Sequence, residues 1–347
     1  MVQNRMTRRT VTGGLAAAAA GITLSSRAIA QGTPAASPAS GGSLVIYSGR
    51  SETLVAPILE ELVAETGLDL EVRYGSTGEL AAQILEEGDN TPAGIFFSQD
   101  AGALGALAKA DRLAAMPQDI LEMVPANLSD ADGRWVGVSG RARVVVFQPE
   151  LVDEASIPES ILDLPGADLG TIGFAPTNAS FQTFVTALRL TEGEDGARAW
   201  LEELMAADTA IFDGNGPILD AVGNSEIALG LVNHYYLYEK LAENPDLTAQ
   251  NHYFLNGDIG GMINVAGVGI VANSGQEAAA EIAVRFLLGE HAQHYFAEET
   301  AEYPLASGVA PAAELPPLDE YETPDVNLND LDDLEGTVAL LTELGLI

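Results

Sequence analysis

The chain has no cysteine among its 347 residues, which excludes a disulfide framework, zinc–thiolate sites, iron–sulfur clusters and lipid attachment to a thiol. Histidine is nearly as scarce, with four copies, so a transition metal here would depend on oxygen or imidazole donors. Lysine occurs only at Lys109 and Lys240. Lys and Arg together number 15 against 51 for Asp and Glu, a net charge of −36. Nucleic acid is therefore excluded as a partner, because binding it needs basic residues to neutralise phosphates. A lysine-poor acidic surface suits a saline habitat or plain solubility. No apolar run approaches the ~20 residues needed to span a bilayer, so no stable membrane span is expected, and no tandem repeat is present.

What is there is core-forming material. Hydrophobic residues make up 47% and charged ones 19%, which rules out disorder despite the charge imbalance. The length exceeds the roughly 250–300 residues at which single cores stop growing, so two or three domains are expected. Arg5, Arg8 and Arg9 precede an apolar stretch, Val11 to Leu24, and Ala28-Ile29-Ala30 offers a small-x-small cleavage site. Residues 1–30 thus read as an export signal. The Thr7-Arg8-Arg9 run resembles a twin-arginine signal, with an ordinary secretory signal as the alternative. Residues 31–42 (QGTPAASPASGG) read as a flexible linker. Four arginines and no acids lie in these first 42 residues, so the remainder carries −40.

The body alternates strand and helix patterns. LVIYS (44–48), LDLEVRY (68–74), GIFFS (94–98), TIGFA (171–175), TAIFD (209–213) and EIALGLV (226–232) read as strands. Between them run helices: Leu54, Ile58 and Leu62 at four-residue spacing ended by Gly67, then Gly78–Glu87, an Ala/Leu-rich helix to Leu107, Ala179–Leu190, and one around Trp200. This is the pattern of parallel sheets in α/β layers, whose ligands sit beyond the carboxyl ends of strands or between lobes. Pro176-Thr177-Asn178-Ala179-Ser180 stands before an apolar helix, where backbone N–H groups can hold an anion. Asn215-Gly216-Pro217 makes a second such turn, with Asn215 as a cap, and Gly75–Glu79 a third. Arg50, Arg141 and Arg143 add cations to a chain that has few.

Asn233-His234-Tyr235-Tyr236-Leu237-Tyr238 follows the apolar strand EIALGLV. At a strand-to-helix junction both adjacent phenols can point into one cleft, and phenolates are hard donors from which a trivalent cation displaces protons. An aromatic packing patch with polar tips is the alternative.

Taken together, LVIYSGR (44–50), LAAQILEEG (80–88), FFSQDAGALGAL (96–107), WVGVSGRARVVVF (135–147), IGFAPTNASF (172–181), VNHYYLY (232–238), NVAGVGIV (264–271) and EYPL (302–305) resemble the periplasmic ferric-ion-binding proteins, receptors of bacterial iron(III) ABC importers. The resemblance implies a two-lobed α/β fold of the type 2 periplasmic binding protein class, with two hinge strands and a ligand cleft between lobes. It implies Fe(III) on Tyr235 and Tyr236 and a synergistic anion, phosphate or carbonate, held by Asn178, Ala179, Ser180, Asn215 and Asn233. Arg50 and Arg141 join that anion set. It also implies a monomeric, extracytoplasmic receptor that serves an ABC permease and its ATPase subunit and is not an enzyme. No Ser/His/Asp constellation, HExxH or GxSxG is present.

The chain departs from the family at the first lobe. A histidine ligand would fall at Ser51 and a glutamate ligand at Gln99, and neither replacement is a good iron donor. Glu52, Asp100, Tyr74, or only an anion and water, remain; Tyr74 and Glu52 complete the expected metal set. The hinge strands are expected at Arg143–Gln148 and Gly267–Ala272, the first lobe at 43–142 and 264–315, and the second at 143–263 and 316–347. The rival reading is a receptor for a small oxyanion, phosphonate or sulfate-like, without metal.

Overall fold

The computed structural model describes residues 42–306, 308–312, 315–318, 322 and 324–347; the expected export signal and all but the last residue of the linker lie outside the described residues. The strands are β1 (Ser43–Ser48), β2 (Asp69–Tyr74), β3 (Ile95–Ser98), β4 (Trp135–Phe147), β5 (Ile172–Phe174), β6 (Thr209–Ile211), β7 (Leu229–Asn233), β8 (Gln250–His252), β9 (Ile263–Ile270) and β10 (Tyr303–Pro304). The helices are α1 (Glu52–Thr66), α2 (Thr77–Glu87), α3 (Ala101–Lys109), α4 (Gln118–Leu121), α5 (Ala179–Ala206), α6 (Asn215–Gly223), α7 (Tyr235–Glu243), α8 (Glu277–Leu287), α9 (Glu290–Glu298) and α10 (Leu334–Glu343). Gly67 ends α1 in the left-handed conformation (φ 69°), the cap its position predicted. The two helices expected after Ala179 are merged into α5, with the break kept at Gly193 (φ 75°, ψ 170°).

The strand order is β2-β1-β3-β9-β4-β7-β5-β6, with β8 and β10 also on β4. Parallel pairing was expected for the six strands read from the pattern. It holds for β2-β1-β3 and for β6-β5-β7, whereas β9 and β4 run antiparallel to their neighbours. The reason is the crossing between lobes. β4 is fully buried along its 13 residues, Ser139, Arg141 and Arg143 included, and changes partner midway. Trp135–Ala142 pair with β9 in the first sheet, and Arg143–Phe147 pair with β7 in the second.

The expected hinge strands need correction accordingly. Arg143–Phe147 lies wholly in the second sheet, and Gly267–Ile270 lies in the first, against β3 and the start of β4. The chain crosses instead at Ala142/Arg143 and just before Ile263, where Arg143 N–H donates to the Met262 carbonyl at 2.9 Å. Residues 328–332, expected in the second lobe, pack on α3 of the first sheet. Among the described residues no helix is long and apolar enough to cross a membrane.

Candidate metal and anion site

The site grows from the partner switch in β4. Ser139, Arg141 and Arg143 are alternate residues, so their side chains leave one face of the strand, and all three are buried. Across the switch, β7 ends at Asn233, which is in register with Arg143. His234 follows and cannot face a metal. Its Nδ1 accepts from Ala142 N–H at 3.1 Å and its Nε2 donates to the Ala301 carbonyl at 2.7 Å. Burial pushes this imidazole down to about 4, so it stays neutral.

Tyr235 and Tyr236 open α7, with ring centroids 4.4 Å apart and planes 27° from parallel. The two rings are stacked side by side at the strand-to-helix junction. Tyr235 is 4% exposed. Burial raises its phenol well above the ordinary value, Tyr236 adds to this, and Arg141 and Arg50 oppose it. The phenol is therefore protonated until something strongly cationic displaces the proton. Tyr238 instead pairs with the Tyr253 hydroxyl at 3.2 Å. Among the described residues no three His, Asp or Glu side chains converge as a metal site; a phenolate oxygen is a hard donor of the kind a trivalent ion takes.

Two arginine environments flank the pair. Arg50 donates from Nη2 to both oxygens of Glu302 at 2.8 Å, Ser139 Oγ donates to Oε2 at 2.9 Å, and Arg141 Nε lies 4.0 Å from Oε1. Arg141 Nη2 also donates to the Gln99 carbonyl. Of these two expected anion binders, Arg50 is committed to the Glu302 carboxylate, and Arg141 lies beside the carboxylates of Glu302 and Asp100. Arg143 is not so placed: it reaches Ser180 Oγ at 3.4 Å and the Leu231 carbonyl at 3.1 Å and lies over Phe181 and Phe184, while the Nε of all three arginines is buried without a partner. Burial pushes it down to about 9.

The anion loop differs in detail from its reading. Asn178 Oδ1 accepts both Ser180 N–H (2.9 Å) and Ser180 Oγ–H (2.6 Å), so that part of the loop is closed on itself. Asn215 is the first residue of α6 rather than its cap. The cap is Gly214, and the Asn215 amide donates to Ser180 Oγ at 3.2 Å while its Oδ1 is buried without a partner. Arg143, Ser180, Asn178 and Asn215 therefore form one polar cluster at the start of α5, with Ala179 beside it and Asn233 buried next to Arg143.

Tyr74 and Glu52 neighbour each other where β2 ends and α1 begins. Tyr74 ends the edge strand β2 and is 36% exposed; its phenol is raised by burial and by Glu52, an exposed neighbour on α1. Asp100 caps α3 by accepting Ala103 N–H at 3.1 Å. Gln99 and Thr77 line a cleft of about 560 Å³ between the lobes together with Thr177 and Ala179.

A family model described as bacterial extracellular solute-binding protein matches residues 90–332. The chain belongs to that family. The solute-binding protein is 30% identical over 328 residues to the Fe(3+)-binding periplasmic protein of Serratia marcescens, covering 93% of this chain and 96% of that one. It is 28% identical over 325 residues to the major ferric iron-binding protein of Neisseria meningitidis, covering 92% and 97%. Its fold is similar to that of iron-bound HitA from Pseudomonas aeruginosa, with TM-score 0.82, 31% identity, and 87% and 99% of the two chains covered. The two-lobed α/β fold is thus the family's. Sequence reasoning missed Glu302, the isolation of Arg143, and Glu239, a half-buried carboxylate one turn beyond Tyr235 that burial raises. The only signal for Glu302 was its place in EYPL.

Proposed function

We propose that this solute-binding protein is an extracytoplasmic receptor for ferric ion. It closes two lobes, 43–142 with 264–315 and 143–263 with 316–347 apart from the segment on α3, over Fe(III) and a synergistic anion. It acts as a monomer, without catalysis, and delivers the ion to an ABC permease and its ATPase subunit. The observation that carries this is the stacked Tyr235–Tyr236 pair at the end of β7. The 3+ charge of the substrate offsets the cost of deprotonating the buried Tyr235 phenol and its half-buried neighbour Tyr236, which a divalent ion does less well. The names of the relatives support the same reading.

The anion, phosphate or carbonate, sits against Ser180, Asn178, Asn215 and Asn233, and Arg143 supplies the countercharge in place of Arg50 and Arg141. The first lobe contributes no protein ligand, and the remaining positions on the ion are filled by the anion and water. A metal-free oxyanion receptor is the second reading, favoured by the lone Arg143.

Titrating ferric citrate into metal-free protein tests both. Two phenolates on Fe(III) give a visible charge-transfer band that acid bleaches as protons compete for the ligands. Tyr235→Phe and Tyr236→Phe each remove or shift the band. A colourless wild type without bound iron would overturn the ferric reading and leave the oxyanion one.

A further inference from the structure

The end of the chain fastens the two lobes to each other across the cleft. Residues Leu328–Asp332 form a single 3-10 turn on α3. The contact is backbone on backbone: a Cβ at Gly102 would lie 2.5 Å from the Leu331 carbonyl oxygen, and one at Gly105 2.8 Å from that of Asn329. Buried Trp135 donates from Nε1 to Asn329 Oδ1 at 2.8 Å, and Lys109, the last residue of α3, donates to Asp332 Oδ1 at 2.7 Å.

One peptide later the chain is held by the other lobe. Arg189 of α5 donates from Nη2 to Asp333 Oδ2 at 2.8 Å and from Nη1 to the Asp333 carbonyl at 3.0 Å. Asp333 Oδ1 caps α10 through Gly336 N–H at 3.0 Å, and Thr186 of α5 shares a buried hydrogen bond of 2.7 Å with Thr337 of α10. Asp333 itself is non-helical (φ −80°, ψ 58°) between two helical turns. The helices joined in this way, α3 and α5, are those whose first turns line the cleft, and Leu331, Asp332 and Leu334 line it with them.

We propose that the Asp332–Asp333 junction is a third hinge, and that Arg189 and Lys109 are positioning residues that lock it with the cleft closed. Opening a two-lobed receptor rotates one lobe against the other about a few residues that absorb the backbone change. A segment fastened to both lobes must turn between its two fastenings, and here only one peptide separates them. Arg189 grips both the carbonyl and the carboxylate of Asp333, so it holds the backbone torsion that opening has to change. The inference rests on the reading that the lobes close over a ligand, but its first test needs no ligand.

Because the chain has no cysteine, Glu86→Cys on α2 and Glu203→Cys on α5 give one clean spin-label pair across the lobes. In metal-free protein, Arg189→Met should shift the label distances toward longer values, and Arg189→Lys, which keeps the charge but not the fork, should shift them less. Gly105→Ala pries the turn from α3 without changing charge and should shift them likewise. Ferric ion should pass to a competing chelator about fivefold faster from Arg189→Met, with the visible band unchanged in position. Distances and release rates like wild type in both Arg189→Met and Gly105→Ala, in folded protein, would overturn the clamp. A wild type that binds no iron would sink the receptor reading alone and leave the distances to decide the clamp.

Discussion

Arg50 and Arg141 share one carboxylate, Glu302, and sit on the Tyr235 side of the pair, whereas Arg143, two residues further along the same face of β4, has no carboxylate and sits on the Tyr236 side. All three guanidinium groups are buried. A buried cation with its own anion belongs to the structure, because removing either partner leaves a charge stranded in a low-dielectric interior. A buried cation without one costs stability for as long as nothing comes to meet it. The first lobe thus offers a finished electrostatic wall, and the second an unfinished one that a bound anion completes.

Glu302→Gln should test that contrast most severely. It strands Arg50 and Arg141 together and should cost about 3–5 kcal/mol in chemical denaturation. Arg143→Met removes a charge that nothing balances, so unfolding should change by less than about 1 kcal/mol or shift toward stability, while anion-dependent iron retention falls. If the two variants lose equal stability, the distinction between a structural and a ligand-facing arginine is wrong.

The next effect concerns the staple at the switch between the two environments. His234 is held near 4 in the folded chain against an ordinary 6.5. A depressed folded value means that the unfolded chain takes up the proton first, so the stabilisation is complete above pH 6.5 and is lost as pH falls from 6.5 toward 4. The loss should approach about 3 kcal/mol in the metal-free protein, and a His234→Gln variant should show a flatter pH profile over that window. An identical slope in both would remove His234 from the account.

Ser180→Ala takes away the hydroxyl to which Arg143 donates and should weaken iron retention modestly, on the scale of about 1 kcal/mol. Ser180→Pro, which also removes the N–H bound by Asn178, should do more. Equal effects would show that only the hydroxyl matters. Tyr238→Phe should matter least. It loses the bond to Tyr253, about 1 kcal/mol in a thermal melt, and leaves the visible band where it is.

The alternating strands and helices were legible because period and punctuation are local. So was the place of the tyrosine pair at a strand-to-helix junction. The antiparallel course of β4 and β9 was not, since an apolar run says nothing about which neighbour it pairs with on either side. The same limit applied to the arginines. Arg50, Arg141 and Arg143 look alike in sequence, and what separates them is a carboxylate 252 residues from Arg50. Asn215 misled for a different reason: a cap and an inward-facing first-turn amide have the same residue at nearly the same place. Tyr74 and Glu52 were chosen because the expected donors at Ser51 and Gln99 were missing, and an edge strand and an exposed first turn left both at the rim.

β9 stands between β3 and β4 in the first sheet, yet in the chain it comes after every strand of the second. As the polypeptide emerges, β3 and β4 therefore wait without their shared neighbour until about three-quarters of the chain has been made. The second lobe waits longer still, since α10 covers α5 only when the last residues are free. Contacts this distant in sequence form slowly. Each half is therefore completed by a segment made long after its first strands, and the cleft between them forms late.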